Sequence, residues 1–167
     1  TGRHHLTVKA GLNQDIAFRL TANGGLSRVK SGQPLRWQGQ LTDLTATGDM
    51  PVRLLAPAPL AVSAAAVSLE HAGLSVSSGS VRIGQLHWTP QSWKTHGDFS
   101  GIALLPGVAE RAQGIPLQLG GRWHFDSAAH LTGELRIHRE RGDWYLPGDL
   151  PQPLGLQQLQ LQATAAH

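Results

Sequence analysis

Along most of the chain, apolar and polar side chains take turns. In residues 130–144, HLTGELRIHRERGDW, Leu131, Gly133, Leu135 and Ile137 share one parity while Thr132, Glu134, Arg136 and His138 share the other. This period of two puts the apolar side chains of a strand on one face and the polar ones on the opposite face. The same period predicts a first hairpin, with Leu6, Val8 and Ala10 on one strand, Ile16, Phe18 and Leu20 on the next, and GLNQD as the turn. It continues through Leu35, Trp37, Gly39 and Leu41, then, after a turn-like TDLTATGD, through MPVRLL. Short strands follow with Leu60 and Val62, Val67 and Leu69, Leu74 and Val76, and Val81 and Ile83. In the last third, Leu117 and Leu119, then Trp123 and Phe125, precede the 130–144 strand. The final stretch, PLGLQQLQLQA, alternates through Leu154 and Leu156, slips by one residue at Gln157 and Gln158, and resumes at Leu159 and Leu161, which marks a bulge or tight turn.

Helical periodicity is nearly absent. Only LPGVAERAQG, residues 105–114, predicts a short helix, over about 106–113, opened by Pro106 and stopped by Gly114. About a dozen strands with one short helix leave no room for the crossover helices of a parallel sheet, so the sheet is expected to be antiparallel. Its apolar face must then meet a second sheet or a ligand.

Composition narrows the classes. The chain has 167 residues, 40% hydrophobic and 15% charged, which suits one folded domain with a core, and its 20 Gly and 10 Pro suit many strands joined by turns. The formal net charge of +3 comes from 14 Lys and Arg scattered without a block of like sign, so nucleic acid is not an expected partner. The absence of cysteine excludes disulfides and thiolate metal sites. No apolar run reaches the roughly 18 residues of a membrane helix, and the first residues carry no signal-peptide pattern.

Candidate chemistry is thin. Ser80 in SSGSVRIG lacks the order of a nucleophile elbow and an adjacent base. His87, His96, His124, His130 and His138 fall on the polar parity or in turns, without the helical spacing that sets two imidazoles on one ion. Asp43, Asp49, Asp98, Asp126, Asp143 and Asp149 sit in loop-like contexts where Asp binds its own backbone. Arg136, Arg139 and Arg141 are interleaved with Glu134 and Glu140, as in a solvated strand end. No phosphate-binding loop or dinucleotide fingerprint occurs. The expectation is a protein that is not an enzyme and uses no cofactor or metal. Trp37 and Trp123 lie on the apolar parity, as core or at the lip of a lipid-filled groove, while Trp88, Trp93 and Trp144 fall near turns.

The segment GGRWHF, LTGELRIHRERGDWYLPGD and PLGLQQLQLQA, residues 120–163, resembles a pattern of the TamB family of AsmA-like proteins, the periplasmic subunits of the translocation and assembly module. That pattern joins Gly-x-Trp and Leu-x-Gly-x-Leu-x-Ile strands to an Arg-x-x-Gly-Asp turn and a Pro-Leu-Gly-Leu segment. The resemblance implies a long antiparallel sheet curled into an open gutter with an apolar interior (a β-taco). Residues 1–167 would then form a single segment of a longer periplasmic chain anchored in the inner membrane. It also implies phospholipid acyl chains as cargo, a partner barrel of the Omp85 class in the outer membrane (TamA-like), and a role in assembling outer-membrane proteins, with unfolded ones as possible clients. The groove lining expected on the apolar parity is Val62, Val67, Leu69, Val81, Ile83, Leu117, Leu119, Trp123, Phe125, Leu131, Leu135 and Ile137.

Two other readings compete. A closed β-sandwich binding or adhesive module would cover its own apolar faces, and a glycan-active enzyme could use a jelly-roll scaffold. Small residues on the apolar parity, Ala10, Gly39, Ala64 and Gly133, leave space and favour the gutter over the sandwich.

Overall fold

A computed structural model describes residues 3–11, 17–27, 35–104, 106–146 and 148–166. The protein is all-β, with one large antiparallel sheet and one short helix. Its elements are β1 (Arg3–Gly11), β2 (Ala17–Ser27), β3 (Arg36–Ala46), β4 (Val52–Leu54), β5 (Ala58–Ser63), β6 (Val67–Val76), β7 (Gly79–Trp88), β8 (Trp93–Ala103), α1 (Pro106–Arg111), β9 (Gln118–Asp126), β10 (Thr132–Arg141), β11 (Tyr145–Leu146), β12 (Gln152–Pro153) and β13 (Gln160–Ala165).

The sheet follows chain order, β1-β2-β3-β4-β6-β7-β8-β9-β10-β13, with β5 also between β3 and β6. Strands β4 and β5 share one rung because the chain kinks between them, at Leu55–Pro57, where Pro57 has no N–H to give a ladder. That sharing, and the departure of β11 and β12 into a hairpin of their own, leave ten rungs instead of a dozen. At about 4.8 Å between neighbours, nine gaps span about 43 Å.

The first hairpin forms as its alternation predicts, pairing Val8 with Leu20 and Leu6 with Ala22, although GLNQD beyond Gly11, and Ile16, lie outside the described residues. Elsewhere bulges redraw the expected boundaries. TDLTATGD is no turn at its start: β3 runs on to Ala46, with Thr42 as the extra residue that restores Leu44 and Ala46 to the apolar face. Its hydroxyl settles the defect by donating to the Thr21 carbonyl at 3.2 Å. AVSLEH and LSVSS are one strand, β6, in which His71 takes φ 51° opposite Gly84 with no change of register against β7, and the apolar parity changes from Val67 and Leu69 to Ala72, Leu74 and Val76. The slip near Gln157 is the irregular approach to β13, after Gly155 at φ 71°.

One strand was not legible as apolar alternation. β8 offers Trp93, Thr95, Gly97 and Phe99 on its apolar parity, so two of its four signals are missing. The helix is also shorter than expected, α1 ending at Arg111 while Gln113 takes φ 53° and Gly114 N–H bonds the Ala109 carbonyl at 2.9 Å.

The core is small. Leu41, Leu54, Ala58 and Ala72 are buried together, with Leu20, Leu44, Leu60, Leu69, Leu74 and Ile83 packed around them, where the kinked rung brings β3 to β6 together. Among the described residues the only other sheet is the β11–β12 hairpin, so no second sheet of comparable size lies over this one. The accessible surface is 11024 Å², against about 8,000 Å² for a compact protein of this mass.

Candidate functional site

Pairing register aligns the apolar parity of successive strands into continuous rows. One row runs Leu54, Leu74, Val81, Phe99, Gly121, Ile137, Leu161. The next runs Ala72, Ile83, Gly97, Trp123, Leu135, Ala163. A third runs Leu60, Leu69, Leu86, Thr95, Phe125, Gly133, Ala165. At the margin come Trp37, Val62, Val67, Trp88 and Trp93. The opposite face carries the polar parity, for example Gly73, Arg82, Asp98, Arg122, Arg136 and Gln162.

Of the expected lining residues, Val62, Val67, Leu69, Val81, Ile83, Leu119, Trp123, Phe125, Leu135 and Ile137 all fall on this one face, and most are half-buried. Leu131 lies one residue before β10 on the same parity and is 44% exposed. Leu117 departs from the expectation. It is 1% exposed, sealed at the end of the sheet near the likewise buried Ala103 and Gln118, so it supports the fold and offers no accessible lining. Residues missed from the sequence are Phe99, Gly97, Leu86, Trp88 and Trp93. For Leu86 and Trp88 the bulge at Gly84 hides the parity, and for β8 the glycine does.

The aromatic rings do not stand upright on this face. A Cβ on Gly97 would lie 2.5 Å from Cη2 of Trp123, one on Gly121 2.6 Å from Cζ of Phe99, and one on Gly133 2.6 Å from Cδ1 of Phe125. Each ring therefore lies down over a glycine of the neighbouring strand. Trp37 does the same over Gly24 of β2 and also covers Gly39 of its own strand, at 2.5 and 2.7 Å from a Cβ built there. Phe99 and Trp123 stack at 6.4 Å between centroids, and Trp123 anchors its indole by donating Nε1–H to Thr95 Oγ1 at 3.1 Å. The result is an apolar floor paved by flat rings with little side-chain relief.

The face ends at a polar clip. Arg139 continues the apolar parity beside Leu119, yet its Nε donates to the Gly142 carbonyl at 2.9 Å and its Nη1 to the Gln157 carbonyl at 3.2 Å. Next to it Asp143 accepts N–H bonds from Gly155 at 2.7 Å, Trp144 at 2.8 Å and Leu156 at 3.0 Å. The Leu156 N–H foremost, then those of Gly155 and Trp144 with the Arg139 charge, outweigh partial desolvation and hold its carboxyl below the usual carboxylate range.

Among the described residues, three ion pairs lie elsewhere on the sheet. Arg82 bonds Asp98 at 2.7 Å, Lys94 lies 3.6 Å from Asp126, and Arg136 pairs with Glu134. Ser80 sits opposite Ser75 and Ser100 on the polar face. His96 and His124 are neighbours at 6.3 Å between ring centroids, and no group of three or more metal-ligating side chains occurs among the described residues. No family model, no curated protein and no solved structure matches this chain.

Proposed function

We propose that this chain is a structural conduit for phospholipid acyl chains, acting without catalysis. The observation that carries the reading is an apolar face about ten rungs long whose side chains stay half-exposed with no facing sheet among the described residues. A contiguous apolar surface of that extent on a folded protein marks an interaction site. An acyl chain suits it, because each CH₂ withdrawn from water contributes about 0.8 kcal/mol, so a dozen such groups contribute roughly 10 kcal/mol. The level floor under Trp123, Phe99 and Phe125 favours a slender, flexible occupant that slides over one that must key into pockets. The lipid headgroup would stay at the open margin, where charge remains hydrated. The resemblance to the TamB family extends the proposal. The chain would be a segment of a periplasmic protein anchored in the inner membrane and working with an Omp85-class barrel of the outer membrane, in lipid transport and outer-membrane protein assembly.

The test uses the parity of β10. A photo-crosslinking side chain at Leu135, on the apolar face beside Trp123, is expected to capture phospholipid from vesicles or envelopes, while one at Arg136 is not. Leu135→Arg is expected to leave the chain folded, since the long stem lets the cation reach water, and to abolish capture at a neighbouring groove position such as Ile137. Equal capture at Leu135 and Arg136, or unfolding by Leu135→Arg, would refute the conduit and favour a closed sandwich module.

A further inference from the structure

Cations scattered in the sequence gather on the polar face. Register sets Arg82 of β7, Asp98 of β8, Arg122 of β9 and Arg136 of β10 side by side, one from each of four adjacent strands. Grooves run along both sides of this row, one of about 760 Å³ towards His71 and His96, the other towards Ser100 and His138. We propose that the row is a binding site for a phosphate group, held between the guanidinium groups of Arg122 and Arg136 with Arg82 at its rim. The row lies on the face opposite Trp123 and Leu135, so the inference stands whatever covers the apolar rows.

The charges of the row do not balance. Three guanidinium groups face one carboxylate, and Arg82 already holds Asp98, with Nε and Nη2 at 2.8 and 2.7 Å from Oδ1. Arg122 is also directly opposite Asp98, yet its side chain makes no hydrogen bond or ion pair among the described residues. On its other side it stands directly opposite Arg136, and like charges in that position destabilise a sheet. The nearby acids are engaged elsewhere. Glu134 accepts from Arg136 Nε and from Gln162 Nε2, and Glu140 accepts from Ser100 Oγ and the Gly101 N–H, both at 2.8 Å.

An anion between Arg122 and Arg136 turns this repulsion into attraction. A carboxylate has one planar pair of oxygens and satisfies one guanidinium fork, whereas the tetrahedral oxygens of a phosphate can meet two forks at once. His96 and His138 flank the row, and an imidazole has at least one ring N–H to donate in either tautomer. A dissolved phosphate and a phospholipid headgroup present the same chemistry to these groups.

Calorimetric titration with inorganic phosphate at low ionic strength, and co-sedimentation with phosphatidylglycerol vesicles, separate the two sources. Arg122→Gln and Arg136→Gln are each expected to weaken binding about tenfold or more, the usual loss for a charge-assisted hydrogen bond. Arg36→Gln is the control for net charge, since this β3 cation lies between the neutral Ser27 and Ser63, and it is expected to leave binding unchanged. All three arginines are exposed, dichroism checks that each variant is folded, and either of the first two variants carries the test alone. Vesicle binding that needs Arg122 and is displaced by phosphate assigns the site to headgroups. Phosphate binding that needs Arg122, with vesicles ignored or bound equally by Arg122→Gln, assigns it to dissolved phosphate. If neither probe depends on Arg122 and Arg136, or if Arg36→Gln weakens binding as much as they do, the proposal is overturned.

Discussion

Gly97 shows how much one missing side chain controls. A Cβ there would meet the Arg82 backbone carbonyl as well as the Trp123 ring, so neither the strand pairing nor the indole could keep its place. Gly97→Ala is expected to lower stability by about 1–3 kcal/mol, the usual cost of overpacking, seen as a lower urea midpoint with an unchanged slope. Asp143 is the second controlling residue. Folding lowers its pKa, so the folded chain holds this proton less tightly than the unfolded one. Its contribution is full above the ordinary value near ~3.9 and fades as pH falls through the lower folded value. Asp143→Asn is therefore expected to unfold at a lower temperature than the wild type at neutral pH, and the two melting curves should converge in acid. That Asp143 binds its own backbone was legible from its loop context. That it reaches Gly155 and Leu156, 12 and 13 residues away, was not, because it depends on how the β11–β12 hairpin returns.

Among the elements, pairing decides rank. Strands β6, β7, β8 and β9 are bonded on both sides along most of their length, whereas among the described residues β1 and β13 are bonded on one. Amide hydrogen exchange is expected to be slowest in β7 and β8 and orders of magnitude faster in β1 and β13. A β8 that exchanges as fast as β1 would contradict the ladder. Strand β10 was plain in the sequence because Leu135 and Ile137 alternate with Glu134, Arg136 and His138. Strand β8 was hidden because the space above Gly97 is filled from β9 by Trp123, and a strand whose apolar cover is lent by its neighbour shows no alternation of its own.

At the scale of the molecule, the sheet exchanges burial for accessible surface. An unfolded chain of this mass exposes about 26,000 Å², so folding to 11024 Å² buries about 15,000 Å², where a compact protein would bury about 18,000 Å². The urea m-value and the heat-capacity change of unfolding scale with that area, and both are expected about a sixth below those of compact domains of 167 residues. Values typical of a compact domain would mean that the apolar face is covered in solution.

Period-two patterning by itself determined that the chain is all-β, that its strands have one apolar and one polar face, and that one short helix interrupts them, because side-chain direction along a strand is local geometry. It also set Leu131, Trp123, Leu135 and Ile137 on the apolar parity, and strand pairing aligns the last three on one face of the sheet. Only the tertiary structure decided where parity shifts, at the bulges of Thr42 and Gly84, since a bulge is defined by the partner strand it faces, and at His71, which faces Gly84 in φ 51°. Only it decided that β4 and β5 share a rung, that Leu117 is sealed while Leu161 is open, and that the rings lie down over glycines. Each of these depends on residues far apart in the chain coming to lie side by side, which no local pattern encodes.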